Sequence, residues 1–138
     1  MTLIKAFLVN SPENGVVADI EIPMSAPDEV LIEVKVAGVC GTDAHIYKGE
    51  YFGGYPRVPG HELCGVVVDV GKGVRHFSIG QRISADPNIF CEGYPACQKN
   101  KQNFYEDFAT VGVTRHGAFA QYVYYARSPC IPYRRQEV

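Results

Sequence analysis

Short apolar runs broken by glycine and proline dominate the chain. Leu3 to Val9, Val16 to Ile22, Glu29 to Val39, Leu63 to Val70, Gln81 to Ala85 and Ala118 to Tyr125 are rich in β-branched and aromatic residues, which suit a pleated, half-buried surface. In the third run Glu33 and Lys35 fall on one face, with Ile32, Val34 and Val36 on the other. That is the period-2 alternation of a strand with one face in the core. Turn-forming residues separate the runs at Pro12 to Gly15, Pro27-Asp28, Gly71-Lys72-Gly73 and Gly80, and a short helix is predicted from Gly41 to Tyr47. Six short strands punctuated in this way predict a mainly β fold, a Greek-key barrel or sandwich.

Composition narrows the partners. A chain of 138 residues makes one domain with a core large enough to need no staples. Thirteen basic and 15 acidic side chains leave a formal charge of −2, so there is no electrostatic footprint for nucleic acid or an anionic membrane. Five cysteines without a repeating framework suggest a reducing, cytoplasmic setting. Met1 to Val9 lacks the features of a signal peptide, and no run approaches the ~18 apolar residues of a membrane span.

The chemistry concentrates in Val39-Cys40-Gly41-Thr42-Asp43-Ala44-His45 and in Pro59-Gly60-His61-Glu62. A thiolate, an imidazole and a carboxylate suit a zinc ion that keeps one coordination position open, as catalytic zinc requires. His61 and Glu62 are neighbours, and in a regular strand they would point to opposite faces. Pro59 and Gly60 relieve this: proline interrupts ladder pairing, and glycine permits backbone angles closed to other residues. The strand is then expected to begin near Leu63, with Glu62 either a direct ligand or just behind the metal. Thr42 and Asp43 have an ordinary reading as cap residues of a short helical turn.

These residues resemble the zinc-dependent medium-chain dehydrogenases, specifically their N-terminal GroES-like catalytic domain. The resemblance runs from about Lys5 to about Pro132. It rests on Cys40-Gly41-Thr42-Asp43, on G-H-E-x-x-G-x-V-x-x-V-G from Gly60 to Gly71, on Gly80-Gln81-Arg82-Ile83 and on Gly117 to Val123. Within the family, the stretch from Cys40 to Glu50 looks most like polyol (sorbitol-type) dehydrogenases, with threonine and secondary-alcohol dehydrogenases close behind. The resemblance implies a GroES-like barrel with Cys40 and His61 as catalytic zinc ligands and Glu62 as a direct ligand or a more distant partner. It makes Asp43 the carboxylate that orients the histidine, Thr42 the hydroxyl that relays the substrate proton, and His45 an extension of that relay toward solvent. It implies a small alcohol or polyol as substrate, hydride transfer to NAD or NADP, and a homo-oligomer. In this family a Rossmann domain holds the nucleotide. Residues 1–138 are therefore expected to be the catalytic domain of a longer enzyme, inactive in hydride transfer alone.

One region departs from the family. Asn88 to Tyr105 aligns with a lobe that usually carries four cysteines, spaced C-x2-C-x2-C-x7-C. Here Cys91 and Cys97 remain, and Tyr94 and Tyr105 stand at the other two positions. A neutral phenol is a poor zinc ligand, so this lobe is expected to hold no structural zinc, leaving two free thiols or a redox-labile pair. Packing of Tyr94, Pro95, Phe104 and Tyr105 is expected to close it. Other residues take plainer readings. Gly71-Lys72-Gly73 is a turn, because His76 occupies the third glycine position of a dinucleotide fingerprint and strand residues resume within ten positions, leaving no room for the phosphate-binding helix. His76 and His116 read as surface histidines, and Cys64 and Cys130 as small apolar fillers. Tyr51, Phe52 and Tyr55 line a substrate cleft or belong to a glycine-rich surface loop. Two other function classes remain open: a stand-alone zinc-binding module, and a protein-contact barrel with a vestigial site.

Overall fold

The computed structural model describes residues 2–22, 26–89, 109–126 and 130–132. Its elements run β1 (Leu3–Ser11), β2 (Asn14–Glu21), β3 (Glu29–Gly38), α1 (Gly41–Lys48), β4 (Glu62–Val70), β5 (Arg82–Ala85), β6 (Asn88–Ile89), β7 (Ala109–Thr110), β8 (Tyr122–Ala126) and β9 (Cys130–Pro132). The mainly β expectation holds, and the helix falls where the turn after Cys40 predicts it. β6, β7 and β9 are pairings of two or three residues, too short to show a hydrophobic period of their own.

The ladders form three sheets. β1 and β2 make a hairpin, β6 and β7 a short pair, and the remaining strands a five-stranded antiparallel sheet in the order β8-β3-β4-β5-β9. Isolated bridges from Ala6 to Ala120 and from Val9 to Arg57 tie the hairpin to the rest. Among the described residues the expected barrel is thus three sheets joined by bridges, without one continuous closed ladder.

Phase along β3 decides which residues surround the site. Val30 and Ile32 are buried against Leu63, Val67, Ile83, Val123 and Tyr125. The register with β4 then slips between Val34 and Val36. An extra residue on one strand shifts the alternation of everything after it. Val36, expected on the core face, is 66% exposed as a result. On β4 the alternation is intact: Leu63 and Gly65 face inward while Glu62 and Cys64 face outward. Cys64 is therefore exposed, not a buried filler, because the alternation that buries Leu63 turns its neighbour out.

Candidate metal centre

Helix α1 fixes the first sulfur. Cys40 is its N-cap, and the Cys40 Sγ accepts from the Thr42 N–H at 3.3 Å. Asp43, only 5% exposed, reaches back to accept from the Cys40 N–H at 2.9 Å. The reciprocal pair is a capping box, and it sets the Cys40 sulfur at the N-terminus of the helix. Gly49, at φ 78°, ends the helix. The N-cap is Cys40 itself, and Thr42 enters the cap through its backbone N–H and Asp43 through its carboxylate.

The imidazole arrives on a loop held from two sides. The other oxygen of Asp43 accepts from the Gly60 N–H at 3.1 Å, so one buried carboxylate joins the segments that carry Cys40 and His61. On the far side, the Gly117 N–H donates to Val58 O at 2.7 Å, Ala118 N–H to Gly60 O at 2.8 Å and Phe119 N–H to Pro59 O at 3.0 Å. Contact is close enough that a Cβ on Gly117 would lie 2.2 Å from Gly60 O and 2.6 Å from Pro59 O. Gly60 itself has φ 96°, and this turn lets His61 depart from the strand direction that Glu62 begins. The strand starts one residue earlier than expected, at Glu62, which pairs with Gly38.

His116 belongs to this support. Its Nδ1 accepts from the Val58 N–H at 3.0 Å, which requires that nitrogen to be unprotonated. Partial desolvation of its ring pulls its pKa below the usual 6.5, and the Arg57 charge pushes the same way. The surface reading of His116 is right about exposure and misses the bond. Sequence carried no signal for it, since 58 positions separate the partners.

Ligand atoms from Cys40, His61 and Glu62 all lie within 4.8 Å of one another. The Cys40 Sγ and His61 Nε2 are 3.1 Å apart. Tetrahedral zinc with ordinary Zn–S and Zn–N lengths separates such a pair by about 3.5 Å, so a few tenths of an ångström of side-chain movement admits the ion. The His61 Nδ1 is buried 3.5 Å from Asp43 Oδ1 without a hydrogen bond. That gap is close enough for charge attraction and too long for a formed bond, and an imidazole bonded to a metal through Nε2 would direct its Nδ1–H at this carboxylate. Donor types, separations and the poised carboxylate all fit zinc. Among the described residues no other cluster of three such side chains occurs.

The remaining candidates fall around this centre. His45 is exposed and its Nδ1 lies 2.6 Å from Glu50 Oε2, so it sits at the solvent side of α1. Tyr51 and Phe52 stack on each other at 4.5 Å, while the Tyr55 hydroxyl donates to Ile46 O and anchors its loop to α1. A groove of about 510 Å3 runs past His61 and Glu62, between Val36, Cys64, Ser84 and Pro87. Cys91, Tyr94, Cys97 and Tyr105 lie outside the described residues, as does the side chain of Cys130. No helix among the described residues is long and apolar enough to cross a membrane.

Known proteins are similar to this chain over most of its length. L-galactonate-5-dehydrogenase of Escherichia coli K12 is 36% identical over 124 residues, which are 89% of this chain and 36% of that protein. A short chain alcohol dehydrogenase from E. coli CFT073, solved with NADH, superimposes with a TM-score of 0.90 at 34% identity, covering 98% of this chain and 40% of that one. A thermostable alcohol dehydrogenase from Pyrobaculum aerophilum, solved with cobalt and zinc, gives 0.91 at 27% identity, covering 98% and 43%. The chain spans about a third of the length of the curated relatives it matches. The description "Alcohol dehydrogenase GroES-like domain" matches residues 26–135. With that match spanning the segments that carry Cys40 and His61 and the glycine-lined loop between them, the chain belongs to the alcohol dehydrogenase GroES-like domain family.

Proposed function

We propose that these residues form the zinc-binding catalytic part of an NAD(P)-dependent alcohol or polyol dehydrogenase. The observation that carries this reading is the convergence of Cys40, His61 and Glu62 within 4.8 Å, in a chain similar to an alcohol dehydrogenase solved with zinc and to another solved with NADH. Cys40, His61 and Glu62 hold the ion in this reading, and Asp43 orients His61. When bound, zinc supplies Lewis acidity that lowers the pKa of an alcohol hydroxyl. In this reading the Thr42 hydroxyl accepts the substrate proton as it gives up its own, and His45, exposed beside Glu50, delivers a proton to solvent. Two anionic ligands balance the charge of the ion, which favours a neutral alcohol or polyol over a charged substrate. No dinucleotide fingerprint occurs in the sequence, so the nicotinamide cofactor is proposed to be held by residues outside this chain.

Metal content tests the reading. Purified protein should carry close to one zinc per chain, and His61→Ala should remove it, because two remaining ligands lose both geometry and affinity. Full metal retained by His61→Ala contradicts the assignment. Two equivalents would mean that the lobe containing Cys91 and Cys97 also binds.

A further inference from the structure

We infer that Gly38 is a positioning residue for the metal centre: its missing side chain is what allows the Glu62 carboxylate to lie among the ligands. The inference rests on the zinc reading above and adds a residue to it.

Gly38 and Glu62 are direct partners across β3 and β4. Their side-chain positions share the outer face of the sheet, the face on which Val36 and Cys64 are also exposed. A glutamate at a strand start would ordinarily extend into water. Here the side chain folds across its partner: a Cβ built on Gly38 would stand 2.6 Å from Glu62 Oε2, 3.3 Å from its Cβ and 3.6 Å from its Cδ. The glutamate therefore occupies the space a residue 38 side chain would need. That path brings a carboxylate oxygen within 4.8 Å of the Cys40 and His61 ligand atoms. Ordinary contact begins at 3.4 Å, so an alanine must displace Oε2 by about 0.8 Å.

The displacement is cheap for the fold and costly for the site. Glu62 is exposed and its outer atoms can swing toward solvent, so Gly38→Ala leaves apo stability nearly unchanged. Coordination is less forgiving, since ligand distances hold within about 0.2 Å of their normal values. Gly38→Ala should lower zinc affinity about 10- to 100-fold, the range seen when groups that orient a ligand are removed.

A double-mutant cycle in the 138-residue protein separates this role from a merely structural one. Zinc affinity is measured by competition with a chromophoric chelator for wild type, Gly38→Ala, Glu62→Gln and the double variant, with thermal unfolding of each apo form. The expected result is a loss for each single variant and no further loss when Gly38→Ala is added to Glu62→Gln. Equal losses in both backgrounds, or wild-type affinity in Gly38→Ala, overturn the inference while leaving the metal reading intact. A wild-type chain that takes up no zinc overturns both. If Gly38→Ala does not fold, Glu62→Asp replaces it, because its carboxylate is one methylene too short to cross residue 38. The same loss is then expected, and unchanged affinity refutes the role.

Discussion

Replacing Asp43 by asparagine removes one charge and reorients one hydrogen-bonding group at the point where the segments carrying Cys40 and His61 meet. The carboxylate accepts from Cys40 N–H at 2.9 Å and from Gly60 N–H at 3.1 Å. Each bond to a buried ionised acceptor contributes about 1.5–3 kcal/mol net. An asparagine carbonyl can keep one of them, but its amide then presents N–H groups to the other backbone N–H. One bond is lost and one buried donor is orphaned, while removing the charge returns part of its desolvation cost. The expected net loss is about 2 kcal/mol, or roughly 8 °C in Tm for a domain of this size. Urea unfolding of the apo protein measures it directly. The exposed pair Lys5–Asp19 supplies the control: at 2.7 Å its geometry is as close, yet Asp19→Asn should cost less than about 0.5 kcal/mol because water screens it. If Asp43→Asn unfolds within about 0.5 kcal/mol of wild type, the carboxylate does not join the two segments and the site must be assembled by other contacts.

Two further outcomes follow from the loop that carries His61. Gly117→Ala pushes a Cβ against three backbone atoms, Gly60 O, Gly112 Cα and Pro59 O. None can rotate away, so the loss should reach about 3 kcal/mol, the upper end for overpacking. Gly54→Ala, where nothing lies within 4 Å, should be neutral to stabilising, and equal effects in urea would contradict the packing. His116 gives a pH signature. Its pKa in the folded protein is lowered from 6.5, so below that pH the unfolded chain binds the proton more readily than the folded one. Its contribution is complete above pH 6.5 and is lost as pH falls through the lowered value. His116→Asn should flatten the fall in Tm on that acid side relative to wild type, and an unchanged slope would show that the Val58 bond is not lost on protonation.

Much of this was legible in the sequence because local rules govern it. β-rich composition between turn residues marks β1 to β5 to within a few residues, the Cys40 to Asp43 stretch announces a helix start, and Pro59-Gly60 explains how adjacent residues can reach one centre. The rest depends on distant partners. Val36 emerges because a register slip against β4 reverses its phase, and such slips leave no trace in a single strand's pattern. Cys64 looked like filler because apolar neighbours surround it, though strict alternation from Leu63 would have turned it outward. Gly38 carried a usable signal, a glycine inside a strand, which often marks close backbone approach. Its partner Glu62 becomes visible only once β3 and β4 are paired. The support of His61 by His116 and Gly117 joins residues more than fifty positions apart and follows from no local rule.

X-ray absorption at the zinc edge counts the atoms that touch the metal and so decides whether Cys40, His61 and Glu62 hold it. The spectrum should show a single sulfur at about 2.3 Å, from Cys40, with the remaining neighbours nitrogen or oxygen at about 2.0–2.2 Å. Cys40→Ser should erase the sulfur shell, and Cys64→Ser should leave it unchanged. A spectrum with no sulfur, or with several, would place the zinc somewhere other than between Cys40, His61 and Glu62.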